Sequence, residues 1–133
     1  MTAPWPVLIA SPDIENCRHI ASTLERWGFD PVWASSVQQA REILSSRSVP
    51  LVFCEDRLGD GDFREVIHAA RLAPSKVRVV VTSRQRGRRQ HRESVEAIRI
   101  GAFEVIACPC YPTDLDWAVV HALRDAAQET TAA

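Results

Sequence analysis

Leu51-Val52-Phe53-Cys54-Glu55-Asp56 is the stretch that decides the fold: four apolar residues in a row, then two carboxylates. A strand that is apolar on both faces can be buried only in a sheet covered by helices on each side. The acids then emerge at the strand's C-terminal end. The same grammar recurs on either side. Val7-Leu8-Ile9-Ala10 runs into Ser11-Pro12-Asp13, and Val77-Arg78-Val79-Val80-Val81 closes on Thr82-Ser83. Residues 103 to 107 lead into Cys108-Pro109-Cys110. Each is a short apolar run stopped by polar or turn-forming residues, as expected of a buried strand feeding a loop. Residues 29 to 34 are brief, Pro-containing and rich in Val and Trp, which suits an edge strand, where a missing amide hydrogen is tolerated.

Between these runs the apolar period changes from strand to helix. Ile14, Cys17, Ile20, Ala21, Leu24 and Trp27 recur at three- and four-residue spacing up to Gly28, and Val37, Ala40, Ile43 and Leu44 follow a Ser36-to-Gln39 capping box. Phe63, Val66, Ile67 and Ala70 precede Pro74; Val95, Ile98 and Ile100 precede Gly101; Leu115, Ala118, Val119, Ala122 and Leu123 follow the cap Thr113. Strand and helix therefore alternate along the chain, with connections too long for hairpins. That pattern predicts an α/β three-layer sandwich around a five-stranded parallel sheet, with any ligand site beyond the strands' C-terminal ends.

The chain has 133 residues, 46% hydrophobic and 25% charged, which suits a single domain that needs neither disulfide nor metal to hold its core. The core is expected over residues 6 to 125, with fraying of the Ala- and Thr-rich end after Gln128. Sixteen basic residues against seventeen acidic ones leave a net charge of −1, so no global field recruits nucleic acid or an anionic membrane. No apolar run reaches membrane-spanning length, and the start lacks the basic and apolar stretches of a secretion signal, so a cytoplasmic location is expected. Cys17, Cys54, Cys108 and Cys110 are expected to be free thiols.

In element order the chain resembles the receiver domain of two-component response regulators. The resemblance rests on Val7-Leu8-Ile9 with a helix ending at Gly28, on Leu51-Val52-Phe53-Cys54-Glu55, and on the loop Leu58-Gly59-Asp60-Gly61-Asp62. Val81-Thr82-Ser83, Gly101-Ala102 and Cys108-Pro109 complete it. It implies a flavodoxin-like sheet of order 2-1-3-4-5. It also implies a phosphoacceptor pocket. Receivers place an Asp at the end of the third strand, two acids after the first to hold magnesium, a Thr or Ser after the fourth, and a Lys before the last strand's proline. The cation neutralises converging oxygens, and the Lys and hydroxyl secure the phosphoryl group.

Here the acidic pair falls on Ser11 and Pro12, the phosphoacceptor on Glu55, the Lys on Cys108 and an aromatic switch residue on Val105; Thr82 alone matches. Asp13 and Asp56 lie one residue beyond the matching positions, and a one-residue slip on a strand turns a side chain to the other face. Pro109 resembles the family's proline that follows a cis peptide bond. The expectation is a degenerate pocket made of Ser11, Pro12, Asp13, Glu55, Asp56, Thr82, Cys108 and Pro109, without magnesium or another cofactor and without enzymatic activity. In it Glu55 reads as a hydrophilic strand terminus; being one methylene longer than Asp, it offers mimicry of a switched state as the alternative.

Three other segments carry expectations. Arg84, Arg86, Arg88, Arg89, His91 and Arg92 crowd what reads as a long solvated loop, which lacks aromatics for base stacking and suits an acidic protein better than nucleic acid. Cys108-Pro109-Cys110, with Cys54 at a neighbouring strand end, is a candidate thiol switch, although it lacks two-residue thiol spacing and has no histidine near in sequence. His19, His68, His91 and His121 are too scattered for a helical metal pair, so no metal is expected. Val105, Tyr111, Leu115 and Trp117 mark the helix 4, strand 5 and helix 5 face, which receivers use for contacts with a second copy or an output module. The expected function is therefore phosphorylation-independent signalling by protein binding, with a second copy, a histidine kinase or an output domain as partner. The alternatives are an atypical phosphoacceptor at Glu55 or Asp56, and a thiol redox switch through Cys108 and Cys110.

Overall fold

A computed structural model describes residues 5–132, except for the side chains of residue 123 and of those after 124. Five parallel strands, β1 (Pro6–Ala10), β2 (Asp30–Ala34), β3 (Leu51–Glu55), β4 (Arg78–Ser83) and β5 (Glu104–Ala107), form one sheet of order β2-β1-β3-β4-β5. This is the expected order. Between them run α1 (Arg18–Arg26), α2 (Val37–Ser46), α3 (Phe63–Arg71), α4 (Gly87–Ile100) and α5 (Pro112–Ala132). A 3-10 turn over Ile14–Cys17 leads into α1. α5 extends past Gln128, after which fraying was expected.

Alternation along the strands divides the core in two. Val7, Ile9, Leu51, Phe53, Val80 and Ile106 pack against Ile20 and Leu24 of α1 and Leu115, Ala118, Val119 and Ala122 of α5. Leu8, Ala10, Val52, Cys54, Val79 and Val81 face the opposite way, onto α2, α3 and Ala97 of α4. Both faces of the central strands are therefore covered, which is why Leu51–Glu55 is buried along its whole length. The register pairs Ile9 with Phe53, Phe53 with Val80, and Glu55 with Thr82.

Local chemistry fixes the connections. Ser36 Oγ accepts from the Gln39 amide at 3.1 Å, while the Asp60 carboxylate accepts from the Val37 and Gln38 amides at 2.7 and 3.1 Å. Asp60 thereby satisfies two orphan donors at the start of α2, and those bonds hold its own pKa down. It sits in the turn of a short hairpin, Arg57–Leu58 against Gly61–Asp62, which the sequence reading takes as loop. Gly101, at φ +123°, ends α4 in a backbone region that residues with a Cβ avoid.

Three further expectations change. α4 begins at Gly87, so Arg88, Arg89 and Arg92 lie on its first turns and only Arg84 and Arg86 precede it; there is no long basic loop. Charge density suggests a loop, yet Arg and Gln are good helix formers. Ala97 is the buried residue of α4, with Ile100 half-buried, whereas Val95 and Ile98 are exposed. Trp27 is also exposed, its indole N–H donating to Asp116 Oδ1 at 3.0 Å across to α5. Among the described residues, no helix is long and apolar enough to cross a membrane.

Candidate functional site

Glu55 ends β3 on the same face as Phe53, because residues two apart on a strand share a side. It is buried, and both carboxylate oxygens are engaged. Ser11 Oγ, just beyond β1, donates to Oε2 at 2.7 Å. Arg84 Nε, just beyond β4, donates to Oε1 at 2.6 Å, and Asn16 Nδ2 in the 3-10 turn reaches the same oxygen at 3.4 Å. Thr82 is Glu55's register partner, with Oγ1 3.5 Å from the Cys54 carbonyl. The charge-assisted bond to Glu55 raises the Arg84 pKa. The space left among Ile9, Ser11, Glu55, Thr82, Arg84 and Cys108 is about 10 Å³, room for about one water.

The other acids do not join this group. Pro12 and Asp13 are exposed, and the Asp13 side chain accepts from the Glu15 amide at 3.0 Å, capping the 3-10 turn. Asp56 lies on the far side of the sheet, where Arg84's backbone amide and the Gln85 side chain bond its carboxylate. Its Oδ2 is buried without a hydrogen-bond partner, as is Oε2 of Glu93, which pairs with Arg57. Burial, reinforced by the Glu93 charge, pushes the Asp56 pKa up.

A raised folded-state value means that the fold binds this proton more tightly than the unfolded chain does. The stability attached to it is present below the ordinary carboxylate range and is lost as pH rises through the folded value. Asp56→Asn is therefore expected to raise the unfolding free energy at pH 7 by about 1 kcal/mol, the scale of one unsatisfied buried acceptor. It should also flatten the dependence of stability on pH above the ordinary carboxylate range. Urea melts across that range check both.

Cys108 is buried in the wall of the Glu55 cavity, and its bond to Pro109 is cis. Cys110 is half-buried, its sulfur 3.7 Å from Cys108 Sγ and 3.4 Å from His19 Nε2. Cys54 lies apart from them on the opposite sheet face, its thiol pushed far up by burial. Among the described residues, no group of three or more His, Cys, Asp or Glu side chains is placed to hold a metal. At the expected partner face, Glu104, Val105, Ile106, Ala107, Asp114 and Trp117 line a groove of about 480 Å³. Trp117 is 48% exposed and stacks on His121, and Tyr111 is exposed. Leu115 is not on this face: it is 1% exposed in the α1–α5 core, since it shares the inward stripe of α5 with Ala118, Val119 and Ala122.

Two functional side chains escape the sequence reading. Arg84 belongs to the pocket, not to a basic loop, and strand alternation carries the signal: Thr82 and Arg84 are two apart, so a pocket-facing Thr82 brings Arg84 with it. His19 reaches Cys110 from 91 residues away, a proximity that the packing of α1 beside α5 creates.

No protein-family model matches the chain. In sequence it is 26% identical over 114 residues to the photosynthetic apparatus regulatory protein RegA of Rhodovulum sulfidophilum, covering 86% of this chain and 61% of that protein. It is 26% identical over 118 residues to the alginate biosynthesis transcriptional regulatory protein AlgB of Pseudomonas putida, covering 89% of this chain and 26% of AlgB. The chain thus spans about three fifths of RegA and about a quarter of AlgB. In structure it is similar to a CheY-like response regulator receiver domain of Methanospirillum hungatei, with a TM-score of 0.82 and 20% identity over 95% of this chain and 98% of that one. It is also similar to the receiver domain of a putative Luxo repressor of Vibrio parahaemolyticus, with a TM-score of 0.86 and 15% identity over 97% of each. The fold is that of response-regulator receiver domains, and the relatives matched in sequence are regulatory proteins.

Proposed function

We propose that this domain is a cytoplasmic signalling module that works by binding protein, with no phosphorylation cycle and no magnesium. One observation carries the reading: Glu55 is held at both oxygens by Ser11 and Arg84, in a cavity of about 10 Å³. A phosphoryl group needs a free carboxylate oxygen and room for three more oxygens. Magnesium asks for an octahedral set of oxygens, usually with carboxylates among them. The single carboxylate here is already matched by the Arg84 guanidinium, so the donor set does not fit the ion. The internal ion pair stands where a phosphorylated receiver would bring a cation and an anion together, and it holds the pocket in one state.

The surface for binding is the groove between β5 and α5 around Val105 and Trp117, together with the exposed Tyr111, whose amide donates to the Asp114 carboxylate of the groove wall. Large exposed aromatics beside a concave face are the usual anchors of protein contacts. A second copy or another signalling protein, such as a kinase or an output domain, is the partner class. The exposed Arg86, Arg88, Arg89 and Arg92 add positive charge at the start of α4, which favours an acidic protein surface over nucleic acid.

The test is an amide NMR titration with magnesium and then beryllofluoride as a phosphoryl mimic. The amides of Ser11, Glu55 and Thr82 are expected to stay in place. Saturating shifts at Ser11, Glu55 and Thr82 would show a working acceptor site and sink the proposal, bringing back the atypical phosphoacceptor.

A further inference from the structure

We propose that Cys110 is a thiol modification site: a nucleophilic sulfur set by His19 and backed by Cys108, which reacts with low-molecular-weight disulfides of the glutathione class and ends in a Cys108–Cys110 disulfide. Three segments converge to make it. His19 comes from α1, Cys108 follows the end of β5, and Cys110 lies before α5. His19 Nε2 and Cys108 Sγ stand 3.4 and 3.7 Å from Cys110 Sγ. His19 is exposed and Cys110 half-buried, so a small reagent approaches from solvent, while Cys108 is buried behind. This gives the attacking and the resolving thiol different access.

Charge sorts the two sulfurs the same way. The Cys108 S–H donating to it and the facing His19 lower the Cys110 pKa to about 6, so at neutral pH it is largely thiolate. Cys108 holds the shared proton and is pushed the other way, by that bond first and then by burial, with Arg84 and Glu55 the further charged groups facing it.

The chemistry balances with the disulfide as oxidant. Cys110 thiolate attacks one sulfur of RSSR; the S–S bond breaks, a Cys110–S–S–R bond forms, and RS⁻ leaves. Cys108 gives its proton to that thiolate, and its sulfur attacks Cys110 Sγ, expelling the second RS⁻, which takes a proton from water. Two protein thiols are oxidised and RSSR is reduced to two RSH. The two protein sulfurs close from 3.7 Å to the roughly 2.05 Å of a disulfide bond. Because Cys108 walls the Glu55 cavity, this movement is felt beside Arg84 and Thr82. The inference stands on the thiols and is independent of whether Glu55 accepts a phosphoryl group.

The experiment is intact-mass analysis of the full chain after treatment with oxidised glutathione. Wild type is expected to lose the mass of two hydrogens. Cys108→Ser should stop as a single glutathione adduct on Cys110, and Cys110→Ser should do neither. Iodoacetamide labelling of Cys110 against pH should show a midpoint near 6; His19→Gln, an exposed change that leaves the core intact, should raise it in part, and Cys108→Ala, which removes the larger cause, should raise it further. A wild type that keeps both hydrogens, the same loss in Cys110→Ser, or a midpoint indifferent to His19→Gln overturns the proposal.

Discussion

Phe53→Ala is expected to lower the unfolding free energy by about 4 kcal/mol, read as a fall in the urea midpoint without a change of slope. Phe53 is 1% exposed and lies on the central strand β3, flanked by Ile9 on β1 and Val80 on β4, with α1 and α5 packed over that face. Its neighbours belong to strands hydrogen-bonded into the sheet, so they cannot collapse into the space left by the ring. The cost is therefore the transfer of the lost carbons plus a retained cavity. Phe53 also sits one pleat from Glu55 and lines the same cavity. The variant should admit water beside the Glu55 carboxylate, which tryptophan-independent amide exchange at Ser11 and Thr82 would report. A loss below about 2 kcal/mol would mean that α1 and α5 close over the gap, and that this face of the core is softer than its burial suggests.

Most of the fold was legible because its signals are local. Leu51–Glu55 is apolar on both faces and is buried on both, and Gly28 and Gly101 end helices where the apolar period stops. Legibility failed where one residue serves two elements. Trp27 keeps the helical period yet leaves the core, because Asp116 on α5 offers its indole a partner. Leu115 and Trp117 are two residues apart in one helix, so an argument from neighbourhood placed them on one surface when helical geometry separates them. Within the site, strand alternation placed Glu55 and Asp56 on opposite faces. The Glu55–Arg84 pair was not seen, since the charge count of residues 84 to 92 pointed to solvent. Strand alternation puts Arg84 on the side of Thr82, but that a buried carboxylate draws the cation inward depends on the register that sets Glu55 beside Thr82, which the expected strand order does not give.

Arg84→Ala is expected to cost about 2 kcal/mol. Removing one partner of a fully buried pair costs about 3 to 5 kcal/mol, because the other charge is left without compensation. Here Glu55's side chain is 8% exposed but Arg84's is 47%, so solvent already screens the arginine and the figure falls below that range. Glu55 keeps the Ser11 hydroxyl, which limits the loss further. The test that separates the pair from simple truncation is a double-mutant cycle with Glu55→Gln: once the carboxylate is neutral, Arg84→Ala should cost about 1 kcal/mol less than it does in wild type. A coupling near zero would mean that Glu55 does not depend on Arg84. The oxygen at 2.6 Å would then be free for other cations, and the reading of a pocket closed from within would lose its support. A coupling of the expected size ties stability to the contact that blocks phosphoryl chemistry. Restoring an acceptor site would then take two kinds of change, carboxylates at Ser11 and Pro12 and removal of the guanidinium that now stands in the cation's place.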